Sequence, residues 1–111
     1  GRSNSALPLG PAVTAYRFTE KAAEDLVAIW VHTDKTWGEE QADRYQDEIF
    51  ACCEQAASGA LGAKPVPGMP RVSSFHCRHH YLFFVRDAES AIFIAVLHER
   101  MDLMIRLRNR L

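Results

Sequence analysis

Hydrophobic positions along the chain change their spacing several times, and each change marks a new element. Residues 13–18 (VTAYRF) alternate and are rich in β-prone side chains, which predicts a strand. Thr19 then offers a helix N-cap, and Glu20, Glu24 and Asp25 lie where the positive end of a helix dipole favours them. Ala22, Leu26, Ile29, Trp30, Thr33 and Trp37 follow at helical spacing, one face of an amphipathic helix from about residue 20 to 36. Trp30 and Trp37 are expected there as core anchors. Gly38 breaks this helix, and a second begins near Glu39. Its buried stripe is Ala42, Tyr45, Ile49, Cys52, Cys53 and Ala56, and Ser58 with Gly59 ends it. A connection this short makes the two helices an antiparallel hairpin.

Residues 58–71 hold Gly59, Gly62, Gly68, Pro65, Pro67 and Pro70, a composition that predicts a loop. Strands are expected at 72–76, which is short, at 79–86 (HHYLFFVR) and at 91–98 (AIFIAVLH), with residues 87–90 as a hairpin loop. The last of these strands is apolar at nearly every position, so it is expected to be central and covered on both sides. Residues 99–111 form either a basic amphipathic turn or a mobile tail. The order β-α-α-β-β-β implies an α+β architecture, a helical hairpin packed on one face of a small, mainly antiparallel sheet.

At 111 residues and 48% hydrophobic, the chain suits one domain. Residues 1–12 lack periodicity and read as a tag remnant or disordered leader, leaving 13–111 as the domain. No apolar run nears the roughly 18 residues of a membrane helix, so no membrane partner is expected. Three cysteines, two of them adjacent, argue against a disulfide framework and suit buried thiols in a reducing cytoplasm. The net charge of −1 hides an asymmetry: residues 1–63 carry five basic and ten acidic side chains, residues 64–111 eight basic and four acidic. Such polarity suits a charged protein partner and falls short of the strongly basic character of sequence-specific nucleic-acid binders.

His76, His79, His80 and His98 bring a metal site to mind, but neighbouring strand residues face opposite ways, so His79 and His80 do not readily serve one ion. No metal and no cofactor is expected. For RNA cleavage, Arg78, Arg86 and Arg100 are candidate phosphate ligands, and His98, Tyr81 and Glu99 candidate proton carriers. The basic excess is small, and no catalytic residue is assigned.

Three stretches in order carry a family resemblance. They are residues 16–45, with an acidic "DL..IW" run and a "WG..QA..Y" junction, residues 78–86 (RHHYLFFVR), and residues 94–103 (IAVLHERMDL). Together they resemble the ParE branch of the RelE/ParE toxin superfamily over roughly residues 14–103. The resemblance implies a non-catalytic cytoplasmic toxin of a toxin–antitoxin pair, directed at DNA gyrase and neutralised in a hetero-oligomer with a cognate, partly disordered antitoxin. A RelE-type ribosome-dependent mRNA interferase is the alternative, although residues 99–111 lack the tyrosine that many such nucleases carry there. Candidate target contacts are Trp37, Arg100, Met101, Asp102, Arg106, Arg108 and Arg110, since arginine anchors interfaces well. Candidate antitoxin contacts are Glu39, Glu40, Asp43 and Asp47 on the acidic helix face, with Arg78 and Arg86.

Overall fold

The computed structural model describes residues 15–59, 62–87 and 90–111. The leader expected at residues 1–12 and the first two residues of the expected opening strand lie outside them. The elements run β1 (Ala15–Phe18), α1 (Glu20–Trp37), α2 (Glu39–Ala57), β2 (Lys64–Val66), β3 (Met69–Cys77), β4 (His80–Arg86), β5 (Ser90–His98) and α3 (Leu103–Arg108). The strands form one sheet in the order β1-β5-β4-β3-β2, antiparallel except where β1 runs parallel to β5. The α+β architecture is as the residue pattern predicts, with one strand and one helix more.

The helical hairpin follows from local signals. Thr19 accepts a 3.1 Å hydrogen bond from the Ala22 N–H and so caps α1. Gly38 ends α1 at φ +98°, a conformation open to glycine and strained for any other residue, and its N–H donates to the Asp34 carbonyl. Leu26 from α1 and Ile49, Cys53 and Ala56 from α2 pack on Phe84, Phe93, Leu82 and Val96 of the sheet. The tryptophans depart from expectation. Trp30 sits half-buried at the seam between the helices, where its indole N–H donates to Asp43 Oδ1 at 2.9 Å. Trp37 is 73% exposed. Periodicity places both on one stripe, but only Ala22 and Leu26 of α1 are fully buried.

Two segments expected to be irregular are structured. Within the expected loop, β2 forms a three-residue edge strand, and β3 begins at Met69 rather than at residue 72. Pro65 is tolerated because β2 lies at the sheet edge, beside a register shift between Pro65 and Val66. Residues 103–108 form α3, a short basic amphipathic helix, which favours the amphipathic turn over the mobile tail. Leu107 is fully buried against the sheet face away from the hairpin, in a second cluster with Phe83, Ile94 and Leu97. β5 is therefore covered on both sides, as its composition implies.

The pairing of β4 with β5 skips Ile94: Phe84 faces Phe93, and Phe83 faces Ala95. This bulge shifts the alternation of β5. Ala91, Phe93 and Val96 pack on the hairpin side, whereas Ile94, Ala95 and Leu97 join the opposite cluster. His98 consequently arrives on the hairpin side, directly across from His80.

Candidate functional site: a groove beside the first helix

Two cavities, of about 470 and 400 Å³, share His32, Thr33, His80 and His98 and so form two halves of one groove alongside α1. Trp37, Gln41, Tyr45 and the turn residues Arg78 and His79 line the first half. Ile29, Val96, Leu97, Met101 and Arg106 line the second.

The wall of the first half is built by a zipper. Tyr45, Glu48 and Cys52 stand at spacings of three and four on one face of α2. They engage the chain around the β3–β4 turn in reverse order. Cys52 is joined to Cys77 in a disulfide, with Cα atoms 6.2 Å apart. Glu48 accepts two 2.9 Å hydrogen bonds from Arg78, an arrangement that holds its carboxyl below the usual carboxylate range. The Tyr45 hydroxyl lies 2.7 Å from His80 Nδ1 and accepts a 3.3 Å bond from the His79 N–H. The disulfide corrects the expectation of three free thiols. The bond crosses the seam between α2 and β3, a proximity that spacing along the chain does not reveal. Only Cys53 among the three stays a thiol; it is buried in the main core, and desolvation pushes its pKa up to about 12.

Arg78 has φ +58°, unusual for a residue with a Cβ, and it turns the chain so that His79 precedes β4 rather than opening it. His79 and His80 accordingly line the same cavity, contrary to the opposite-face expectation for two strand residues. His80 is buried, and desolvation first, then the nearby His98, lowers its pKa to about 4. Burial raises the Tyr45 phenol above its ordinary value. The pair is therefore uncharged near neutral pH, with Tyr45 accepting from the backbone and donating to His80. His98 Nδ1 accepts the Arg100 N–H at 3.1 Å, which leaves its proton on Nε2.

Glu99 accepts from His76 Nε2 at 3.1 Å and from His79 Nδ1 at 3.2 Å, and these two bonds, His79 foremost, lower its pKa. Among the described residues, no three His, Cys, Asp or Glu side chains are gathered to hold a metal ion. Of the residues considered for RNA cleavage, Arg78 and His98 line the same cavity, whereas Tyr81 and Arg86 lie apart from it. Tyr81 stacks on His76 at 4.3 Å and packs against the second cluster, on the sheet face away from His98. Arg86 lies at the far end of β4, donating to the Ala56 and Ala57 carbonyls at the C-terminus of α2.

The candidate contact residues divide in the same way. Trp37, Met101 and Arg106 line the groove, while Arg100, Asp102 and Arg108 are exposed nearby in sequence. Arg110 also lines the groove but is mostly buried. Its guanidinium pairs with Asp25, and both side chains are only 16% exposed. Glu39, Glu40, Asp43 and Asp47 form an exposed face of α2, with Asp43 engaged by Trp30. His32 was passed over in the sequence. Its only signal there is a polar aromatic ring on the flank of the α1 stripe.

A helical hairpin on a small mixed sheet, with a groove walled by α1 and the ends of β4 and β5, defines the chain as a small α+β domain. A solved structure titled as the chromosomal ParDE toxin–antitoxin system of P. aeruginosa shares this fold, with a TM-score of 0.67 at 20% identity over 77% of this chain and 95% of that one. The family model described as the ParE toxin of the type II toxin–antitoxin system parDE matches residues 16–103, and the chain belongs to this family. It is 39% identical to Toxin ParE of Escherichia coli over 89% of this chain and 98% of that protein. It is 31% identical to Toxin ParE1 of Caulobacter vibrioides over 78% and 91% of the respective lengths.

Proposed function

We propose that this ParE-family toxin acts in the cytoplasm by binding and poisoning DNA gyrase, without catalysis of its own, and that a cognate antitoxin neutralises it by direct contact in a hetero-oligomer. The observation that carries the reading is the groove. It runs from an exposed tryptophan to an exposed methionine and arginine, the make-up of a protein-binding surface. The target contacts are Trp37, Arg100, Met101, Asp102, Arg106 and Arg108, with Arg110 acting from inside the fold. Antitoxin contacts on α2 are Glu39, Glu40, Asp43 and Asp47, with Arg78 and Arg86 at the two ends of β4. The parDE description of the family supports an antitoxin partner.

The test is a gyrase supercoiling and DNA-cleavage assay with the purified protein, run beside mRNA cleavage on translating ribosomes. Gyrase-dependent DNA breaks with intact mRNA are expected. Codon-positioned mRNA cuts with normal gyrase would replace this reading by an mRNA interferase.

A further inference from the structure

The seam between α2 and β3 is closed by sulfur. Cys52 is partly exposed on α2, whereas Cys77, its partner across the seam, is 2% exposed. An attacking thiolate therefore reaches Cys52 Sγ first. Cys77 Sγ lies 3.7 Å from the Glu48 carbonyl oxygen, so a thiol formed there has an acceptor already in place. Cys53, next to Cys52 in the chain, does not compete, because burial holds it as the thiol rather than the nucleophilic thiolate. The residue after Cys77 is Arg78, whose φ of +58° persists where its surroundings fix it. Besides the disulfide, the ties of this turn to α2 are the exposed Arg78–Glu48 pair and the two contacts of the Tyr45 hydroxyl. An exposed ion pair holds weakly. On its other side the turn is tied to the end of β5. The Glu99 N–H donates to the His79 carbonyl at 2.8 Å, and the Glu99 carboxylate accepts from His76 and His79. Loss of the disulfide thus loosens the seam with α2 and leaves the turn attached to the sheet.

We propose that Cys52 and Cys77 form a reversible redox site that reacts with small thiols, and that its reduction frees the β3–β4 turn from α2. A small thiolate attacks Cys52 Sγ and forms a mixed disulfide, while Cys77 leaves as a thiolate and takes up a proton. A second small thiolate attacks the small-molecule sulfur of that mixed disulfide, and Cys52 leaves and takes up a proton. The protein gains two electrons and the two protons released by the attacking thiols, which become one small disulfide. The small disulfide reverses the sequence. Arg78, His79 and His80 line the first half of the groove, so the exchange sets the rigidity of that wall. A wall fixed in advance costs less to order when a partner binds. Disulfides of cytosolic proteins are usually transient and serve catalysis or redox sensing. The cytoplasmic setting comes from the function proposed above; the chemistry of the pair does not depend on it.

The experiment equilibrates the full-length toxin in glutathione buffers of rising reduced-to-oxidised ratio, traps the thiols with acid and counts alkylated cysteines by mass. The count should rise in one step from Cys53 alone to all three cysteines at millimolar glutathione, with unchanged circular dichroism. Hydrogen exchange across residues 77–81 should be about tenfold faster in the reduced toxin, with residues 92–96 unchanged. Cys52→Ser should show the fast rate with or without glutathione. Three results on the unaltered chain would each overturn the inference: a disulfide that survives excess reduced glutathione, a fold lost on reduction, or equal exchange of the turn in both states. Gyrase-dependent DNA cleavage by neither form would overturn the proposed target, while the redox readouts, which need no gyrase, decide the inference.

Discussion

Arg110 and Asp25, 85 residues apart, meet in a two-pronged ion pair with both contacts at 2.8 Å. The pair also supplies partners to the bulge in β5. Asp25 Oδ2 accepts the Val96 N–H at 2.9 Å, and Arg110 Nη1 donates to the Ile94 carbonyl at 3.0 Å. It therefore ties residue 110, the first helix and the irregular stretch of the interior strand β5 into one unit. Removing one member of a largely buried pair strands the other. Arg110→Ala should lower unfolding free energy by about 3 kcal/mol, read as a urea midpoint shift. Arg108→Ala, two residues away and exposed, should leave the midpoint within about 0.5 kcal/mol of the unaltered protein. Equal effects of the two would refute a structural role for Arg110.

The disulfide between Cys52 and Cys77 closes a loop with a sequence separation of 25. Such a crosslink restricts the unfolded chain, and its loss typically costs about 2–4 kcal/mol. Cys77→Ser should lower the melting temperature, and a reductant should lower it for the unaltered protein but not for the variant. Alkylation without reductant should label neither Cys52 nor Cys77 in the folded protein. Labelling of both would sink the assignment.

His80 gives stability a pH dependence of definite sign. Its pKa falls from about 6.5 in an unfolded chain to about 4 in the fold. Between those values the unfolded state binds the extra proton, so stability is fully present above pH 6.5 and is lost as pH falls toward 4. The loss is on the order of 3 kcal/mol. Chemical denaturation at pH 7.5, 6 and 4.5 measures it, and His80→Asn should flatten the slope in that window. An unchanged slope would assign the proton uptake to other groups.

Gly38 presents a different kind of strain. A Cβ there would meet no atom within 4 Å, so the obstacle to substitution is φ +98° alone. Gly38→Ala should destabilise by about 1–3 kcal/mol while leaving antitoxin and target binding per folded molecule unchanged. A variant as stable as the parent would mean that the helix junction can adopt another path.

The sequence is legible where a signal is local. Thr19, Gly38 and the α1 and α2 stripes place the helical hairpin to within a residue or two, and the apolar run of β5 declares it a strand covered on both faces. It is less legible where proline is read without topology. Pro65 and Pro70 argue for a loop, yet an edge position and a bulge accommodate strands there. The candidate site is legible only in part. Trp37, Met101 and Arg106 come from the family resemblance, but their joining into one groove depends on Arg78's left-handed turn and the Ile94 bulge, neither of which leaves a compositional trace. Arg110 resembles Arg106 and Arg108 in sequence, and only its meeting with Asp25 separates them. The Cys52–Cys77 bond likewise needs the third dimension.

The extra residue at Ile94 makes β5 a strand with two phases, one before the bulge and one after it. Were the same residues to pair with β4 without the bulge, alternation would run unbroken from Phe93 and everything downstream would turn to the opposite face. His98 would then point toward α3 instead of His80, Leu97 would face the helical hairpin, and the segment leading to Arg106 and Arg110 would start from the wrong side of the sheet. The side of the sheet on which the groove forms is thus set by the bulge, and the groove is lost by straightening it even when no groove residue is altered.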